Sequence, residues 1–292
     1  ANASVTLMAS NAAGFMWGNW SGAVSGTNRT VSLVITSNTA LTATFRSYMP
    51  HVLYRLEDSL ASSIGTPPDL TYLGAGQNFS TLTVRGAARR VLNFPYNTGL
   101  QLQPTGEVFP SDVYTFAILF KFDAVSGWRR ILDLRNGIDQ GLYVHDGKLE
   151  FYPYSGQSVV CVTNNTWHMV AITRDASGQM KLYCDGVLRL TLTDSSSYGV
   201  VSAANTVRFC KDDGNDIGSG SVSRIHIYSR VLDAAEIAAT ARNAGVKSAA
   251  VNSAAPRYRI DRSTISAPTA TPADIDNCWP TEVSAVALLM RR

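Results

Sequence analysis

Short stretches in which apolar and polar residues alternate follow one another through the middle of the chain, with turn residues between them. Tyr114–Phe122 is the longest of these stretches. Two pairs of stretches flank an Asp-Gly turn, at Asp146-Gly147 and at Asp185-Gly186. Asp-Gly favours a two-residue hairpin, because both central residues of that turn need positive φ. A period of two with regular turns predicts an all-β fold, an antiparallel β-sandwich (jelly roll) over residues 48–242.

One short helix is predicted at the C-terminal end of this unit. Asp233 can cap a helix, and Glu236 follows three residues later, as in a capping box. An Ala-rich run continues to Ala241, and Gly245 lies just beyond it. This order of signals is typical of a helix that begins after Asp233 and ends before Gly245.

The segments on either side of the predicted sandwich differ from it. Three or four short strands predict a small β domain over residues 1–47, with Trp17 and Trp20 expected to pack in its core. Residues 243–292 are rich in Ala, Ser, Thr and Pro, which predicts an extended tail or arm. Trp279 and the cluster Leu288-Leu289-Met290 are apolar enough to need a docking surface. Self-assembly through residues 243–292 is therefore one expectation.

The composition excludes several classes of protein. Only 16% of the residues are charged, the net charge is +3, and the 25 Lys and Arg are spread along the chain. Neither a disordered polyelectrolyte nor a nucleic-acid-binding surface is expected from this pattern. No run approaches the ~18 apolar residues of a membrane-spanning helix. The chain begins at Ala1 without a signal segment, which predicts a mature, processed or trimmed chain.

Four cysteines lie far apart in the sequence, without the C-x-x-C spacing of common zinc sites. They are Cys161, Cys184, Cys210 and Cys278. Mostly buried thiols are expected, with one disulfide in an oxidising compartment as the alternative.

Several motifs of the middle unit carry a family resemblance. They are the opening strand Val52 to Leu60, the run Trp167-His168-Met169-Val170-Ala171-Ile172-Thr173-Arg174-Asp175, the Tyr183-Cys184-Asp185-Gly186 turn and the closing strand Ser223 to Leu232. In this order they resemble the laminin-G-like, concanavalin-A-like jelly roll in its bacterial form, over residues ~50–242. The resemblance implies a two-sheet sandwich, with Trp167 expected between the sheets and Val170 and Ile172 on one face.

The N-terminal segment carries a second resemblance. It contains Gly14-Phe15, then Trp20-Ser21-Gly22, and it closes with Leu41-Thr42-Ala43-Thr44-Phe45. Residues ~4–46 thereby resemble a divergent internalin-type B-repeat of bacterial surface and secreted proteins. Such a module implies a spacer or adhesion role without catalytic residues.

Catalytic motifs are missing from the sequence. The sandwich family includes glucanases, which use closely spaced carboxylates on one strand, as in E-x-D-x-x-E. This chain has no such triplet, and it has neither G-x-S-x-G nor H-E-x-x-H. The chain is therefore not expected to be an enzyme.

A dense acidic turn is the candidate metal site. Asp212, Asp213, Asn215 and Asp216 offer oxygen ligands of the kind that Ca2+ takes. In many relatives calcium sits at the edge of the sandwich, so the resemblance adds Asp58, of the opening strand, to Asp212 and Asp213. The alternative is a solvated acidic turn that binds no ion.

Aromatic residues in or near predicted loops are the candidate ligand platform. Trp128 lies between Gly127 and Arg129, which predicts a loop with an exposed indole. Arg129, Tyr152 and Tyr154 complete the predicted ligand-binding set, with packing as the alternative for each aromatic. Arg129 and Arg130 could instead pair with Asp133 or with a partner's acidic groups.

These features favour a non-catalytic adhesion or recognition module that binds glycan or protein. The alternative is a structural subunit of a cell-surface, filament or virion-surface assembly; a degenerate hydrolase is a third hypothesis. A secreted or cell-surface protein of bacterial origin is expected, with a virion surface as the alternative. Fold resemblance alone does not decide among these functions.

Overall fold

The computed structural model describes residues 3–10, 15–35, 39–103, 108, 111–201, 204–214, 216, 218–244, 258–260 and 282–290. Its strands, in chain order, are β1 (Ala3–Ala9), β2 (Phe15–Gly22), β3 (Thr30–Ile35), β4 (Thr39–Ser47), β5 (Val52–Tyr54), β6 (Thr71–Leu73), β7 (Asn78–Val84), β8 (Ala87–Phe94), β9 (Gly99–Leu102), β10 (Tyr114–Phe122), β11 (Trp128–Asp133), β12 (Gly141–His145), β13 (Lys148–Tyr152), β14 (Gln157–Val160), β15 (His168–Arg174), β16 (Gln179–Cys184), β17 (Val187–Thr193), β18 (Val207–Phe209), β19 (Gly220–Tyr228), β20 (Tyr258–Ile260) and β21 (Glu282–Met290). The one helix of the described residues, α1, spans Ala234–Asn243.

The chain divides into two compact units, one formed by Ala1–Met49 with Ser248–Arg292 and the other by Pro50–Lys247. The larger unit contains two antiparallel sheets. Eight strands form one sheet in the order β17-β16-β15-β10-β19-β8-β7, with β5 also paired to β19. Seven strands form the other, in the order β14-β13-β12-β11-β18-β9-β6. The predicted antiparallel sandwich is confirmed.

Both Asp-Gly hairpins form as predicted. His145 pairs with Lys148 across the first turn, and Cys184 pairs with Val187 across the second. Asp146 has a φ of 50° and Gly147 of 80°, as a tight turn of this type requires. These turns set the register of β12–β13 and of β16–β17, so they decide which side chains share a face.

The main core lies between the two sheets. Strand β15 shows the alternation: Val170 and Ile172 belong to the inter-sheet cluster, whereas Met169 belongs to a second cluster on the other face. Several buried aromatic side chains of both sheets fill the inter-sheet layer. They include Phe94, Phe116, Phe122, Phe151 and Phe209. Burial of such rings is the main stabilising contribution to a sandwich.

Helix α1 covers the second cluster, on the outer face of the eight-stranded sheet, through Ile237 and Ala241. The capping box is confirmed, since the Asp233 carboxylate accepts from the Glu236 N–H and the Glu236 carboxylate accepts from the Asp233 N–H. Trp167 packs against this second cluster. The expectation that it lies between the sheets is wrong. Trp167 is two residues before Met169, and residues two apart point to the same face of a sheet.

The smaller unit contains two three-stranded sheets, in the orders β20-β1-β3 and β2-β4-β21. Trp17 and Trp20 contact each other at 5.0 Å between ring centroids, and Trp17 meets Phe45 at 5.4 Å, in keeping with the predicted packing role.

Two strands of the predicted C-terminal arm pair with N-terminal strands, β20 with β1 and β21 with β4. Trp279 lies outside the described residues. The domain bounds 1–47, 48–242 and 243–292, and self-assembly through the last segment, stay predictions. In the described part of the chain, no helix combines the length and apolar character needed to cross a membrane.

Candidate functional site

The outer face of the seven-stranded sheet is polar and aromatic where β11, β12 and β13 lie side by side. In β12, Leu142 and Val144 enter the inter-sheet core, so Tyr143 and His145 point to the other face. In β13 the same alternation buries Leu149 and Phe151 in the core. Lys148, Glu150 and Tyr152 therefore share the outer face with Tyr143 and His145.

Trp128 is the centre of this face. It is the first residue of β11 and lies directly opposite His145. Its ring stacks on the His145 ring with 4.0 Å between centroids and 16° between planes. Tyr143 and Tyr152 meet the indole edge-on, at 5.3 and 5.9 Å. Trp128 and Tyr152 are half-buried, so the cluster holds an aromatic surface in a defined orientation.

Polar side chains on β13 and the edge strand β14 adjoin this aromatic cluster. Gln157 Nε2 donates to Glu150 Oε2 at 2.6 Å and lies 2.9 Å from His145 Nδ1. Lys148 Nζ donates to Gln157 Oε1 at 3.3 Å. An amide, a carboxylate and an ammonium group thus lie beside a flat apolar ring, which is the combination that small-molecule sites use for orientation and specificity.

Arg130, in β11 opposite Tyr143, has a fully buried side chain. Its Nη1 and Nη2 donate to the backbone oxygens of Ile138 and Asp139, at 2.7 and 2.9 Å. Its guanidinium carbon is 4.7 Å from the centroid of the Tyr143 ring. Arg130 Nε is 2.6 Å from Asp212 Oδ1 and Nη1 is 3.6 Å from Asp133 Oδ2, so the buried cation is balanced by two buried carboxylates.

Asp212 uses both of its carboxylate oxygens. Oδ1 accepts from the Tyr143 hydroxyl at 3.1 Å, beside Arg130, and Oδ2 accepts from the N–H groups of Gly214 and Asp216. Burial alone would raise the pKa of Asp212, but these N–H groups and Arg130 outweigh it and hold the pKa below its usual value. Asp212 thereby organises the acidic turn from within.

The two neighbouring carboxyl groups of the turn shift in the other direction. Burial, followed by the hydrogen bond and the charge of Asp212, raises the pKa of Asp213. Burial and the charge of Asp212 also raise the pKa of Asp216. These shifts reflect burial first and then the crowding of negative charge around the Arg130 guanidinium group.

Asp139, Asp212 and Asp213 each bring one oxygen to within 4.8 Å of the others. These three carboxylates form an acidic cluster that could hold a metal ion. Ca2+ takes six to eight oxygen ligands, so it would need further oxygens beside these three. The Arg130 guanidinium already lies against all three carboxylates, at 2.6 Å from Asp212, 3.5 Å from Asp213 and 3.8 Å from Asp139. The oxygens of Asp212 are moreover occupied by donors.

Asp58, the other predicted calcium ligand, is not part of this acidic group. Its Oδ2 accepts from Arg90 Nε at 2.8 Å, and Arg90 Nη2 donates to its Oδ1 at 2.5 Å. Asn215 lies outside the described residues, and Asp216 meets Asp212 through its backbone N–H. The structure therefore brings together Asp212 and Asp213 of the predicted ligands and pairs Asp58 with an arginine.

Two predicted ligand-binding residues take other positions. Arg129 is half-buried and donates from Nη1 to the backbone oxygen of Trp128. Tyr154 stacks on Phe151, and its hydroxyl donates to Asp194 at 2.6 Å. Burial and this hydrogen bond raise the pKa of Tyr154. Of the predicted aromatic residues, the structure brings together Trp128 and Tyr152, and it places Tyr154 in a separate contact group.

Sequence reasoning missed His145, Glu150 and Gln157. The Asp146-Gly147 turn could have placed His145 and Glu150 on one face. A two-residue hairpin pairs His145 with Lys148, and therefore Tyr143 with Glu150. The pairing of Trp128 with His145 could not be predicted in the same way, because a longer connection joins β11 to β12.

Comparison with known proteins agrees with the sandwich. Residues 95–238 match the family model described as the concanavalin A-like lectin/glucanases superfamily. The search of curated proteins found no match. No similarity found supports an internalin-type B-repeat over residues 4–46, which stays a prediction.

Among solved structures, domain 4 of AbnA, a GH43 extracellular arabinanase from Geobacillus stearothermophilus, solved in complex with arabinotriose, is similar with a TM-score of 0.55 and 18% identity. The match covers 66% of this chain and 98% of that one. The receptor binding domain of botulinum neurotoxin C/D mosaic serotype is similar with a TM-score of 0.50 and 15% identity, over 66% of this chain and 51% of that one. At these identities the likeness shows the fold. Residues 95–238 are therefore similar to a concanavalin A-like lectin/laminin G domain, in agreement with the sandwich fold.

Proposed function

We propose that this chain is a non-catalytic recognition protein that binds glycan on the outer face of the seven-stranded sheet. The observation that carries the proposal is the half-exposed Trp128 ring, held flat on His145 and flanked by Tyr152. A sugar ring has an apolar face of C–H groups and a rim of hydroxyls. Trp128 would contact the apolar face, while Glu150, Gln157 and Lys148 would exchange hydrogen bonds with hydroxyls.

The energetics of the face support binding of a neutral or weakly charged sugar. The indole orientation is already fixed by the His145 stack, so little side-chain entropy is lost on binding. The polar groups contact one another, since Glu150 Oε2 accepts from the amide of Gln157 and lies 3.3 Å from His145 Nδ1. Because each polar group already has a partner, a ligand must replace those hydrogen bonds, and a polyhydroxylated ligand supplies donors and acceptors for this.

The comparisons support the same proposal. The arabinanase domain was solved with arabinotriose, and the toxin domain is described as receptor binding. The arabinanase is described as extracellular, which supports a secreted or cell-surface location for this chain. A protein ligand remains the alternative to glycan within the same recognition role.

Neither catalysis nor Ca2+ is part of the proposal. The Glu150 carboxylate is bonded to Gln157, and the Asp212 carboxylate is engaged by Arg130 and Tyr143. The superfamily also contains glucanases. A turnover assay on β-glucans is therefore the check on this part of the proposal, and product release by the wild type but not by Glu150→Gln would overturn it.

A glycan array with the full chain, followed by calorimetric titration, tests binding itself. Arabinotriose serves as one defined probe, and the strongest array ligand as the other. Trp128→Ala is expected to weaken binding at least about tenfold, because it removes the aromatic surface. Tyr96→Ala is the matched control, since Tyr96 is an exposed aromatic residue between β8 and β9. Absence of any glycan ligand, or equal loss in both variants, would contradict the proposal.

A further inference from the structure

The loop that follows β14 supports the hairpin turn of the aromatic face. The N–H groups of Cys161 and Val162 both donate to the Gly147 carbonyl, at 2.9 and 3.0 Å. Gly147 is the second residue of the turn that joins His145 to Lys148. The position of this loop therefore bears on the position of the His145 ring under Trp128.

A second cysteine reaches the same loop from the eight-stranded sheet. Cys184 is the last residue of β16 and is buried. Its thiol lies 3.2 Å from the Cys161 carbonyl oxygen, as a hydrogen-bond donor. The two thiol groups also interact, since each shifts the pKa of the other, so they are neighbours. Cys161 itself is partly exposed, and a reagent in solution can reach it.

We propose that Cys161 and Cys184 form a disulfide bond when the chain meets a disulfide oxidant, and that this bond fastens the loop after β14 to the end of β16. The bond would connect the two sheets near their edges. β14 is the edge strand of one sheet, and β16 lies beside β17, the edge strand of the other. The proposal does not depend on glycan binding.

The two thiols have different environments, which assigns their roles. Hydrogen bonding with Cys184, against the opposing effect of burial, lowers the pKa of Cys161 to about 7, with Ser158 and Arg189 also favouring the thiolate. A thiol with a pKa near ambient pH is the best attacking group in thiol–disulfide exchange. The Cys184 thiol is buried and has its pKa raised by the hydrogen bond to Cys161 and by burial, so it acts second.

With oxidised glutathione as the oxidant, the reaction balances as follows. The Cys161 thiolate attacks one sulfur of the glutathione disulfide, whose S–S bond breaks, and one glutathione thiolate leaves. Cys184 gives its proton to that thiolate and attacks Cys161 Sγ, which breaks the mixed disulfide and releases the second glutathione. Two protein thiols are oxidised to one disulfide, and one glutathione disulfide is reduced to two thiols.

A metal ion would be the competing use of Cys184. His168, Cys184 and Asp185 each offer one atom within 4.8 Å of the others. The Thr163 N–H donates to His168 Nε2 at 3.2 Å, which places the ring proton on Nδ1. Nδ1 then donates to Asp185 Oδ2 at 2.7 Å and has no lone pair to offer a metal. The histidine is a structural link between the loop and the Asp185-Gly186 turn.

The test uses the full chain, reduced and then incubated with oxidised glutathione at pH 7.5. Peptide mapping by mass spectrometry should find the Cys161 and Cys184 peptides joined, with the loss of two hydrogen atoms. Buried Cys210 is the internal control, because burial raises the pKa of its thiol and should keep it reduced. The oxidised chain should melt on the order of 5–10 °C above the reduced chain, since the cross-link restricts the unfolded state.

Cys161→Ser should abolish both the cross-link and the dependence of the melting temperature on reductant. A stable glutathione adduct at Cys161, a pairing of either cysteine with Cys278, or thiols that stay reduced would each overturn the proposal. The same holds if Zn2+ binds the reduced chain and blocks oxidation. Because the peptide map is read on the wild-type chain, the result does not depend on whether the variant folds.

Discussion

Replacing Arg130 with Met tests the charge balance beneath the aromatic face. The substitution keeps an unbranched apolar side chain and removes the guanidinium group. Asp212, whose side chain is 2% exposed, then loses its counter-charge, and Asp133, at 0%, keeps only the charge of Arg208. The carbonyl of Ile138 loses its donor as well, and that of Asp139 keeps only the Tyr143 hydroxyl.

The structure sets the size of the expected effect. A pair of unit charges 4 Å apart interacts by about 4 kcal/mol at an effective dielectric constant near 20. Desolvation offsets part of this attraction in the intact protein, but removing one partner leaves the other buried without compensation, which costs about 3–5 kcal/mol. Arg129→Met is the matched control: Arg129 is only half-buried and donates to a neighbouring carbonyl, so its loss should cost less than about 1 kcal/mol.

The loss in the Arg130→Met variant should also depend on pH. Burial already raises the pKa of Asp133, even with Arg130 beside it. Without Arg130 the folded-state pKa should rise further above the unfolded value, so the folded state binds a proton first. Stability of the variant should therefore recover as pH falls through that folded-state pKa.

Urea unfolding of both variants and the wild type at pH 8 and pH 5 measures these effects. We expect the Arg130→Met loss at pH 8 to exceed both its own loss at pH 5 and the loss in Arg129→Met. Equal losses in the two variants, or a loss in Arg130→Met below about 1 kcal/mol, would refute the charge-balance argument. Added Ca2+ should leave the wild-type melting temperature unchanged, because Arg130 already lies among the carboxylates.

Three further predictions concern stability. Burial, with the charges of Arg224 and Arg55, lowers the pKa of His226 from 6.5 to about 3. Protons therefore favour the unfolded state between these pH values, and stability should fall by up to about 1.4 kcal/mol per pH unit below 6.5. His226→Gln should flatten this dependence on pH in urea unfolding, and the same slope in variant and wild type would count against the prediction. Tyr154→Phe removes the hydroxyl bonded to Asp194 and should lower the free energy of unfolding in urea by about 1–2 kcal/mol. Glycan affinity in calorimetric titration should not change. A large loss of affinity would show that Tyr154 contacts the ligand. Asp233→Ala removes the cap of α1 and should cost about 1 kcal/mol in thermal unfolding, with an unchanged melting temperature as the contrary result.

The sandwich could be predicted because its signals are local. Asp146-Gly147 and Asp185-Gly186 specify their own turns, and alternation along β15 places Val170 and Ile172 in the core. The alternation was right at Trp167 as well, but it was assigned to the wrong face: the side chain lies on the face covered by α1.

The candidate site was only partly predictable, because its decisive contacts join distant segments. Arg130 could be paired in advance with nearby Asp133, and the structure has that pair at 3.6 Å. Its shorter pair, with Asp212, depends on the loop after β18 returning to the end of β11. Tyr152 and Tyr154 are two residues apart and would share a face of a continuous strand. A turn in which the Tyr154 N–H donates to the Phe151 carbonyl ends the strand, so the two side chains make different contacts.

The structure of the full chain with the strongest ligand from the glycan array would test the central claim most directly. We predict a sugar ring lying flat against the Trp128 indole, with hydroxyl groups bonded to Glu150 or Gln157. A ligand bound at another surface, with the Trp128 face empty in the same crystal, would contradict the account.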